Sequence, residues 1–381
     1  MKLNIFPSDL LIGLNKVLPA VGKADVTSCV YMHVQEDTLS LTCTDGEVVL
    51  STDIEIDIAD DNADGIVCVN AKMLCDVVKK LDKTKKICIK TNENDRVVIT
   101  SGRFKNTLQM LDVELFPNIQ LPTDTLCSAT FKTADLFAVI ELTKNCVSAD
   151  SYRAFLKGLN IVFFEDKIEV VSSNGYMMAF TKTSSGISNT DVTEIIIPKK
   201  TVDVISTLVK NAEEPTACLR VYKQAVSLDI DGVSMTSVLI DAKFPNVKPI
   251  IDFNADIRLI VDKDDFAESI KRVAVTANNV NKAVSLVVKG NELYIQSKNS
   301  KHEEAEDCIT IESNTDLYET AFNSEYLLYV LSNLPDDKVC ILLSKNSNNG
   351  KFVSYNEQQC ATRTSELPDD HVIYTISRVV V

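Results

Sequence analysis

The segments DLLIGLNKVL (residues 9–18), DLFAVIELTK (135–144) and DFAESIKRVA (265–274) decide the fold, because they read as three copies of one helix. Each copy follows a short strand-like run and places apolar residues at helical spacing. Their starts lie 126 and 130 residues apart. A similarity that returns at a nearly fixed period is typical of repeat architectures, so the chain is predicted to contain three related repeats.

A second helix returns in each repeat, at NAKMLCDVVKKL (70–81), PKKTVDVISTLV (198–209) and NSEYLLYVLSNL (323–334). Asn70, Pro198 and Asn323 take the same leading position, and all three residue types favour a helix N-terminus. The six helical segments are predicted at 9–23, 71–86, 134–146, 198–211, 263–275 and 324–334.

Strand patterns lie between and after these helices, for example at TLSLTCT (38–44), KIEVVSS (167–173) and ELYIQS (292–297). The predicted fold class is therefore α+β, with two helices packed on antiparallel sheets in each repeat. The predicted domains are an N-terminal one at 1–121, a central one at 127–251 and a C-terminal one at 256–381.

The composition is that of a globular protein, since 45% of the 381 residues are hydrophobic and 24% are charged. No stretch approaches the roughly 18 uncharged apolar residues of a membrane span, and no signal-peptide core follows Met1. A cytoplasmic protein with no membrane contact is therefore expected. The 11 cysteines form no CxxC pair and lie mostly in apolar runs, which predicts reduced thiols buried in the protein.

Catalytic motifs are missing from the sequence. His33, His302 and His371 lie at no metal or triad spacing, and no Walker, GxGxxG or GxSxG motif occurs. A non-enzymatic protein with no cofactor and no metal is predicted. The formal net charge of −15 disfavours a broad phosphate-binding surface, so the placement of the basic residues matters more than their number.

Short motifs that occur in order along the chain carry a resemblance to one family. They are Met1-Lys2-Leu3 with the first helix, TLSLTCTD (38–45), Phe116-Pro117-Asn118, YRAFLKG (152–158), Phe244-Pro245 and FNSEYL (322–327). On these motifs the chain resembles the bacterial DNA polymerase sliding clamp, the beta subunit of the replicative DNA polymerase. The resemblance implies three DNA-clamp domains per chain, closed into a head-to-tail dimeric ring that encircles double-stranded DNA as a processivity factor.

The partners that the resemblance implies are double-stranded DNA, the replicative DNA polymerase catalytic subunit, other proteins with a clamp-binding motif, an ATP-driven clamp loader and a second copy of the chain in a homodimer. Twelve helices spaced about 9 Å apart would form a circle roughly 35 Å across, which leaves room for a duplex. The alternative is a multidomain interaction scaffold that does not encircle DNA, and a monomeric protein would favour it.

The six helical segments are together near neutral to basic, so the acidic excess lies elsewhere in the chain. A sliding ring needs enough positive charge to centre DNA without contacts tight enough to stop its movement. Single lysines can also simply solvate a helix face. The candidates for the ring lining, with Lys23 and Arg153 placed in loops by the resemblance, are Lys23, Lys72, Lys79, Lys80, Lys83, Arg153, Lys199, Lys200, Lys210 and Arg272.

The resemblance also implies a hydrophobic pocket for a short partner peptide between the second and third domains. The family's usual Thr-Asp-Gly-His-Arg-Leu reads SNGYMM at 173–178, without the arginine, and the chain ends in valines where methionine and proline are common. An altered peptide preference is therefore expected. Strand side chains alternate, so only one of Met177 and Met178 can face the pocket, and ordinary core packing is the alternative for both. The matching positions are Leu156, Ser173, Gly175, Tyr176, Met177, Met178, Pro245, Ile250, Thr375, Ser377, Val379 and Val380.

The two ends of the ring interface are likewise placed by the resemblance. Asn106 and Leu108 match the edge strand of the first domain, and Val275 and Thr276 match the first helix of the third. Asn106 and Thr276 are more polar than the family pattern. The ring is therefore expected either to close less tightly or to be stabilised by other contacts.

Overall fold

The structure is a computed structural model that describes residues 1–57, 62–92, 94–117, 124–148, 151–188, 193–355 and 371–379. The α-helices are α1 (Pro7–Val17), α2 (Ala71–Val78), α3 (Thr133–Thr143), α4 (Lys199–Lys210), α5 (Lys248–Ile251), α6 (Lys263–Ala274) and α7 (Ser324–Asn333). None of these helices, in the part of the chain that the structure describes, is long and apolar enough to cross a membrane.

The strands, in chain order, are β1 (Lys2–Ile5), β2 (Cys29–Gln35), β3 (Thr38–Thr44), β4 (Val48–Glu55), β5 (Gly65–Asn70), β6 (Ile87–Thr91), β7 (Arg96–Ser101), β8 (Phe104–Leu111), β9 (Thr125–Lys132), β10 (Gly158–Phe163), β11 (Lys167–Ser173), β12 (Met177–Ser184), β13 (Gly186–Ser188), β14 (Thr193–Pro198), β15 (Thr216–Tyr222), β16 (Ala225–Ile230), β17 (Val233–Val238), β18 (Ile257–Asp262), β19 (Ala283–Lys289), β20 (Glu292–Lys298), β21 (Glu304–Thr310), β22 (Glu312–Ser313), β23 (Leu317–Asn323), β24 (Lys338–Leu343), β25 (Asn349–Ser354) and β26 (Val372–Ser377). The predicted strands at 38–44, 167–173 and 292–297 are confirmed by β3, β11 and β20.

The chain divides into two compact units. The first unit comprises Met1–Phe137, Ser185–Thr193 and Lys200–Leu239, and the second comprises Ala138–Ser184, Glu194–Lys199 and Ile240–Val381. The first unit contains one sheet, in the order β1-β6-β7-β8-β5-β2-β3-β4-β17-β16-β15-β9-β13. The second unit contains a sheet in the order β14-β10-β11-β12-β26-β25-β24-β18-β22 and a four-stranded sheet in the order β21-β20-β19-β23.

The sheets continue from one sequence repeat into the next. In the first unit β4 pairs antiparallel with β17, and in the second β12 pairs antiparallel with β26. Each of these pairings covers a strand edge that a single repeat would leave open, and open edges invite unwanted pairing. The mixed helix and antiparallel strand content confirms the predicted α+β class, whereas the limits 1–121, 127–251 and 256–381 stay a prediction.

The three predicted helix starts are confirmed, since α2, α4 and α7 begin directly after Asn70, Pro198 and Asn323, and the two asparagines cap their helices through side-chain hydrogen bonds. The Asn70 side chain accepts a hydrogen bond from the backbone nitrogen of Met73 at 2.9 Å, and α2 begins at the next residue. The Asn323 side chain accepts from the backbone nitrogens of Glu325 at 2.9 Å and Tyr326 at 3.2 Å, at the start of α7. Each cap satisfies donors that the first helical turn cannot satisfy internally.

Two predicted helices were too long. The segment 9–23 ends as a helix at Val17, because Pro19 lies in the short 3-10 turn Leu18–Ala20 and cannot donate a backbone hydrogen bond. The segment 71–86 ends as a helix at Val78. Beyond it, the Asp82 carboxylate accepts from Thr84 nitrogen at 3.0 Å and Thr84 Oγ1 at 2.7 Å, and this local turn competes with the helix that the lysines favour.

The described cysteines behave as predicted. All ten are free thiols, and seven of them are buried. Burial raises the pKa of the Cys146 thiol to about 12. A protonated thiol of this kind packs as a small hydrophobic side chain.

Candidate functional site

The turn between β11 and β12 holds several of the predicted pocket residues in one fixed arrangement. The Asn174 side chain accepts from the backbone nitrogens of Tyr176 at 2.9 Å and Met177 at 2.8 Å. Ser173 Oγ donates to the Met177 carbonyl and accepts from Gly175 nitrogen, both at 3.0 Å. Gly175 has a φ of +92°, a backbone conformation that other residues rarely adopt. The turn therefore presents Tyr176, which is 66% exposed, on a backbone held by four hydrogen bonds.

The register of β12 against β26 decides which methionine faces which side of the sheet. Met178 is paired with Thr375, and Met177 with Ile376. Met178 packs in a core that also contains Phe244, whereas Met177 and Ile376 belong to the core on the other face. Met177 and Met178 therefore lie on opposite faces of β12, as strand alternation predicts, and Met178 shares a face with Thr375. Both side chains are buried in hydrophobic cores, so which of them faces a peptide pocket stays a prediction.

Leu156, another predicted pocket residue, is buried next to the turn. A Cβ atom added at Gly175 would lie 3.7 Å from Leu156 Cδ1, so the leucine side chain is in van der Waals reach of the turn. Pro245 is exposed just after the buried Phe244, and Ile250 is 38% exposed in α5. Apolar groups that remain partly exposed around a buried core are what an apolar peptide side chain can cover.

A cleft of about 380 Å³ lies beside Tyr176, within the second unit. Three predicted residues line it, namely Tyr176, Ser377 and Val379, while Val380 lies outside the described residues. The sequence analysis missed the other lining residues, although FNSEYL (322–327) was among the family motifs and points to α7. The missed residues are Val280, Asn281, Asn323, Tyr326 and Arg378.

The polar groups of the cleft are not equally available to a ligand. The Asn323 carboxamide caps α7 and its nitrogen donates to the Asn281 carbonyl at 2.9 Å, so its role is structural. Burial, together with the neighbouring Tyr176, raises the pKa of the Tyr326 hydroxyl. Tyr326 therefore stays protonated and able to donate a hydrogen bond.

Most of the cations predicted for the ring lining are exposed and outside helix interiors. Lys79, Lys80 and Lys83 follow the end of α2. These three form no ion pair with the described residues. The same holds for four other exposed candidates, Lys23, Lys72, Arg153 and Lys210.

Three other predicted cations are placed differently. Lys199 is half-buried at the first residue of α4. Lys200 forms an ion pair with Asp45. Arg272 donates to one Asp307 carboxylate oxygen from Nε at 2.8 Å and from Nη2 at 2.5 Å. The charges of Lys200 and Arg272 are thus partly balanced by side chains that sequence spacing alone could not identify.

Two of the predicted interface residues, Asn106 and Leu108, lie on the strand β8, whereas Val275 and Thr276 follow the end of α6. In the described part of the chain, β8 pairs with β7 along its length and with β5 only at Met110 and Leu111. β21 is likewise the outer strand of the four-stranded sheet. Each edge therefore has a stretch of backbone groups open to a further strand.

The four residues named for this interface differ in exposure. Leu108 is buried and Asn106 half-buried on β8, whereas Val275 is 82% exposed just after α6. Thr276 Oγ1 lies 2.6 Å from Ser297 Oγ and 3.1 Å from the Val273 carbonyl, so its hydroxyl is bonded internally. Phe104 at the start of β8 is 44% exposed and was missed, although its alternation with Asn106 and Leu108 was visible in the sequence.

Comparison with known proteins identifies the same protein family in three successive parts of the chain. Family models for the DNA polymerase III beta subunit match its N-terminal domain at residues 1–120, its central domain at 130–246 and its C-terminal domain at 248–364. The chain is 27% identical over 323 residues to a beta sliding clamp of Pseudomonas putida, covering 85% of this chain and 87% of that protein. It is 25% identical to the beta sliding clamp of Vibrio cholerae, with 99% of each chain covered.

Comparison with solved structures shows a matching fold over the whole chain. The crystal structure of the DNA polymerase III subunit beta from Pseudomonas aeruginosa superposes with a TM-score of 0.91 at 24% sequence identity, with 100% of both chains covered. At 24% sequence identity, this match shows that the two proteins share a fold.

Proposed function

The chain belongs to the DNA polymerase III beta subunit family, and on that premise we infer that it is a DNA sliding clamp that makes the replicative polymerase processive. A clamp is not an enzyme. It holds a bound polymerase near the template, so the polymerase does not have to find the primer end again after each dissociation. DNA and the polymerase are accordingly its partners.

We propose further that two copies close head to tail into a ring around the duplex. The observation that supports this is the pair of sheet edges, β8 in the first unit and the outer edge of β21 in the second. Exposed Lys105 lies on the first edge, with exposed Arg103 in the turn just before it, and exposed Glu304 and Glu306 lie on the second. Edges of opposite charge favour pairing with each other over pairing with a like edge.

The exposed lysines are the proposed contacts to DNA. Lys79, Lys80 and Lys83 form a cluster of like charge at the end of α2, with Lys210 at the end of α4. Exposed ammonium groups attract phosphates through water and ions without fixing one register, which suits movement along DNA. Arg272 contributes less in this proposal, because Asp307 balances its charge.

Partner proteins are proposed to bind through a short peptide that covers the Leu156, Met178 and Ile250 side chains and extends into the cleft beside Tyr176. Circular DNA has no free end onto which a closed ring could thread, so a separate ATP-driven loader is proposed to open the ring. The same peptide surface is then shared by the polymerase, the loader and other clamp-binding proteins, which implies that they compete.

The test of the ring is retention on DNA with a single nick. The protein is loaded onto nicked circular DNA by the organism's loader, the excess protein is removed, and the circle is then cut once. A clamp stays on the circle and is lost on cutting. Retention that is unaffected by cutting would instead indicate a scaffold held by direct contacts, and a competent loader that leaves no protein on the circle would rule out encirclement.

A further inference from the structure

A pocket of about 290 Å³ lies in the first unit, where α1 and α4 end beside the turn between β16 and β17. Its apolar lining comes from Pro19 just after α1, from Leu208 on α4, and from Ile230 and Val233 on either side of the turn. Ile230 and Val233 are buried, so the pocket reaches the core of the unit. It shares no lining residue with the cleft beside Tyr176.

The polar groups at this pocket include two available carboxamides. Asn15 on α1 and Asn211 just after α4 are exposed, and their side chains form no hydrogen bond with the described residues. Lys16, by contrast, donates from Nζ to the Asp231 carbonyl at 2.6 Å, and the Asp231 carboxylate accepts from two backbone nitrogens of the segment after α4, at 2.7 and 2.8 Å. The turn is therefore held in place, while the two carboxamides can pair with the backbone of a bound peptide.

A second pocket, of about 320 Å³, adjoins the first at the same turn, next to β4. The two pockets share two buried lining residues. Three carboxylates line the second pocket, those of Asp53, Glu214 and Asp229. Asp229 forms an ion pair with Arg220, whereas Asp53 and Glu214 are exposed and form no ion pair with the described residues. The second pocket therefore carries negative charge that no neighbouring cation of the described chain balances.

We propose that the paired pockets form a second docking site, for a partner segment that carries one apolar side chain with an arginine or lysine on one side of it. The apolar side chain enters the pocket beside Leu208, and the basic one reaches the Asp53 and Glu214 carboxylates. Lys16 lines only the first pocket and repels a second cation there, so the basic residue is expected on one side only. The proposal goes beyond the clamp function, because neither ring closure nor the cleft beside Tyr176 takes part in it.

A peptide fits this site better than a nucleic acid. Phosphates would approach the unbalanced carboxylates of Asp53 and Glu214, and like charges brought together at an interface oppose association. A phosphate backbone also has no apolar group for the pocket beside Leu208. An extended peptide advances about 3.3 Å per residue, so an apolar and a basic residue one or two positions apart can occupy adjoining pockets.

The experiment measures the binding of short synthetic peptides to the full chain by ligand-observed NMR titration, which covers weak affinities. The peptides are acetylated and amidated, carry a single leucine among glycines and serines, and differ only in Arg, Gln or Glu at one position before or after the leucine. On one side of the leucine, the arginine peptide is expected to bind about fivefold more tightly than its glutamine counterpart, and the glutamate peptide more weakly than both. Replacing the leucine by alanine is expected to weaken binding at least about tenfold.

Two double variants locate the charge effect. Asp53→Asn with Glu214→Gln should remove the preference for arginine while leaving the affinity for the glutamine peptides unchanged. Glu47→Gln with Glu55→Gln removes the same charge from exposed positions just before and at the end of β4, outside the paired pockets, and should leave the preference intact. Leucine peptides that bind in the cleft beside Tyr176 would not respond to Asp53 or Glu214, so the double variants separate the two sites.

A matched pair of variants tests the apolar pocket. Asn15→Trp places a large ring at the pocket from the exposed face of α1 and should abolish the preference for arginine together with the leucine-dependent binding that accompanies it. Ile12→Trp adds a ring of the same size one turn earlier on the same helix, at an exposed position outside the pocket, and should leave both unchanged.

Equal affinity for arginine and glutamine peptides on both sides of the leucine would overturn the proposal. So would a preference that survives Asp53→Asn with Glu214→Gln, or one that Asn15→Trp and Ile12→Trp reduce equally. Tighter binding of the glutamate peptides, or of a single-stranded oligonucleotide added as a competitor, would assign the pockets to an acidic partner instead. Retention on nicked circular DNA is measured in parallel, so that the absence of this site is distinguished from the absence of clamp function.

Discussion

Lys200 and Asp45 form an ion pair that ties the first turn of α4 to the turn between β3 and β4. The Asp45 carboxylate also accepts from the backbone nitrogens of Glu47 at 3.0 Å and Val48 at 2.9 Å. Asn174 makes the same two backbone contacts in the β11–β12 turn, so the repeats share one turn design. The partners differ in solvation, because the Asp45 side chain is 9% exposed and the Lys200 side chain 43%.

This difference predicts unequal costs for removing either partner. Lys200→Met leaves a nearly buried carboxylate without its cation and is expected to lower the free energy of unfolding by about 1–2 kcal/mol. Asp45→Asn keeps the acceptor that the turn needs and leaves a lysine that water can solvate, so about 0.5 kcal/mol is expected. Urea denaturation measures both values, with Lys210→Met on the exposed end of α4 as the control. A larger cost for Asp45→Asn would contradict the interpretation.

A second prediction concerns pH. The hydrogen bonds from Arg272 hold the pKa of the Asp307 carboxyl below its ordinary value. A depressed folded pKa means that the ionised carboxylate stabilises the fold above its unfolded pKa of about 3.9, and that this contribution is lost as the pH falls through the folded pKa. Asp307→Asn should therefore cost about 0.5–1 kcal/mol at neutral pH, with the difference from wild type shrinking below about pH 4.

Denaturation series across pH measure this difference. Asp316→Asn removes an exposed carboxylate that forms no ion pair with the described residues, and it serves as the control. A cost for Asp307→Asn that stays constant from neutral to acidic pH would show that Arg272 does not act through the charge of Asp307.

The local features of the fold could be predicted from the sequence because they depend on neighbouring residues. The strands at β3, β11 and β20 follow from alternation, and the caps at Asn70 and Asn323 follow from side chains that reach only two or three residues along the chain. The end of α2 was missed because lysine favours a helix, whereas Asp82 and Thr84 form a competing turn.

Pairings between distant segments could not be predicted in the same way. Arg272 and Asp307 are 35 residues apart, and Lys200 and Asp45 lie in different repeats. The position of Met178 on the same face as Thr375 also depends on the register between β12 and β26, which no local pattern specifies. The family resemblance supplied the pocket positions, but the lining by Val280, Tyr326 and Arg378 emerged only when the strands and α7 were placed together.

A third prediction separates peptide binding from stability. Tyr176 is 66% exposed and lines the cleft, so its ring can contribute to a partner without supporting the core. Tyr176→Ala should weaken binding of the replicative polymerase catalytic subunit about tenfold and change the free energy of unfolding by less than about 0.5 kcal/mol. Surface plasmon resonance measures the affinity. Tyr152→Ala removes an even more exposed ring that does not line the cleft, and it should leave the affinity unchanged. An equal loss in both variants would argue against the cleft.

The last prediction concerns ring closure. If the β8 edge of one copy pairs with the β21 edge of another, then Lys105 lies on the basic side of the contact and Glu306 on the acidic side. Lys105→Glu places like charges on the two edges and is expected to raise the dimer dissociation constant at least about tenfold, because like charges brought together at an interface oppose association. Sedimentation velocity over a range of protein concentrations measures the change.

Two further variants show whether the effect depends on the charges of these two edges. Lys90→Glu changes the same charge on β6, where the residue is exposed within the same unit, and should leave the dimer intact. The double variant Lys105→Glu with Glu306→Lys exchanges the two charges and should recover part of the lost affinity, since the edges become complementary again. A dimer that Lys105→Glu leaves unchanged, or that Lys90→Glu weakens equally, would show that the β8 edge is not where the ring closes.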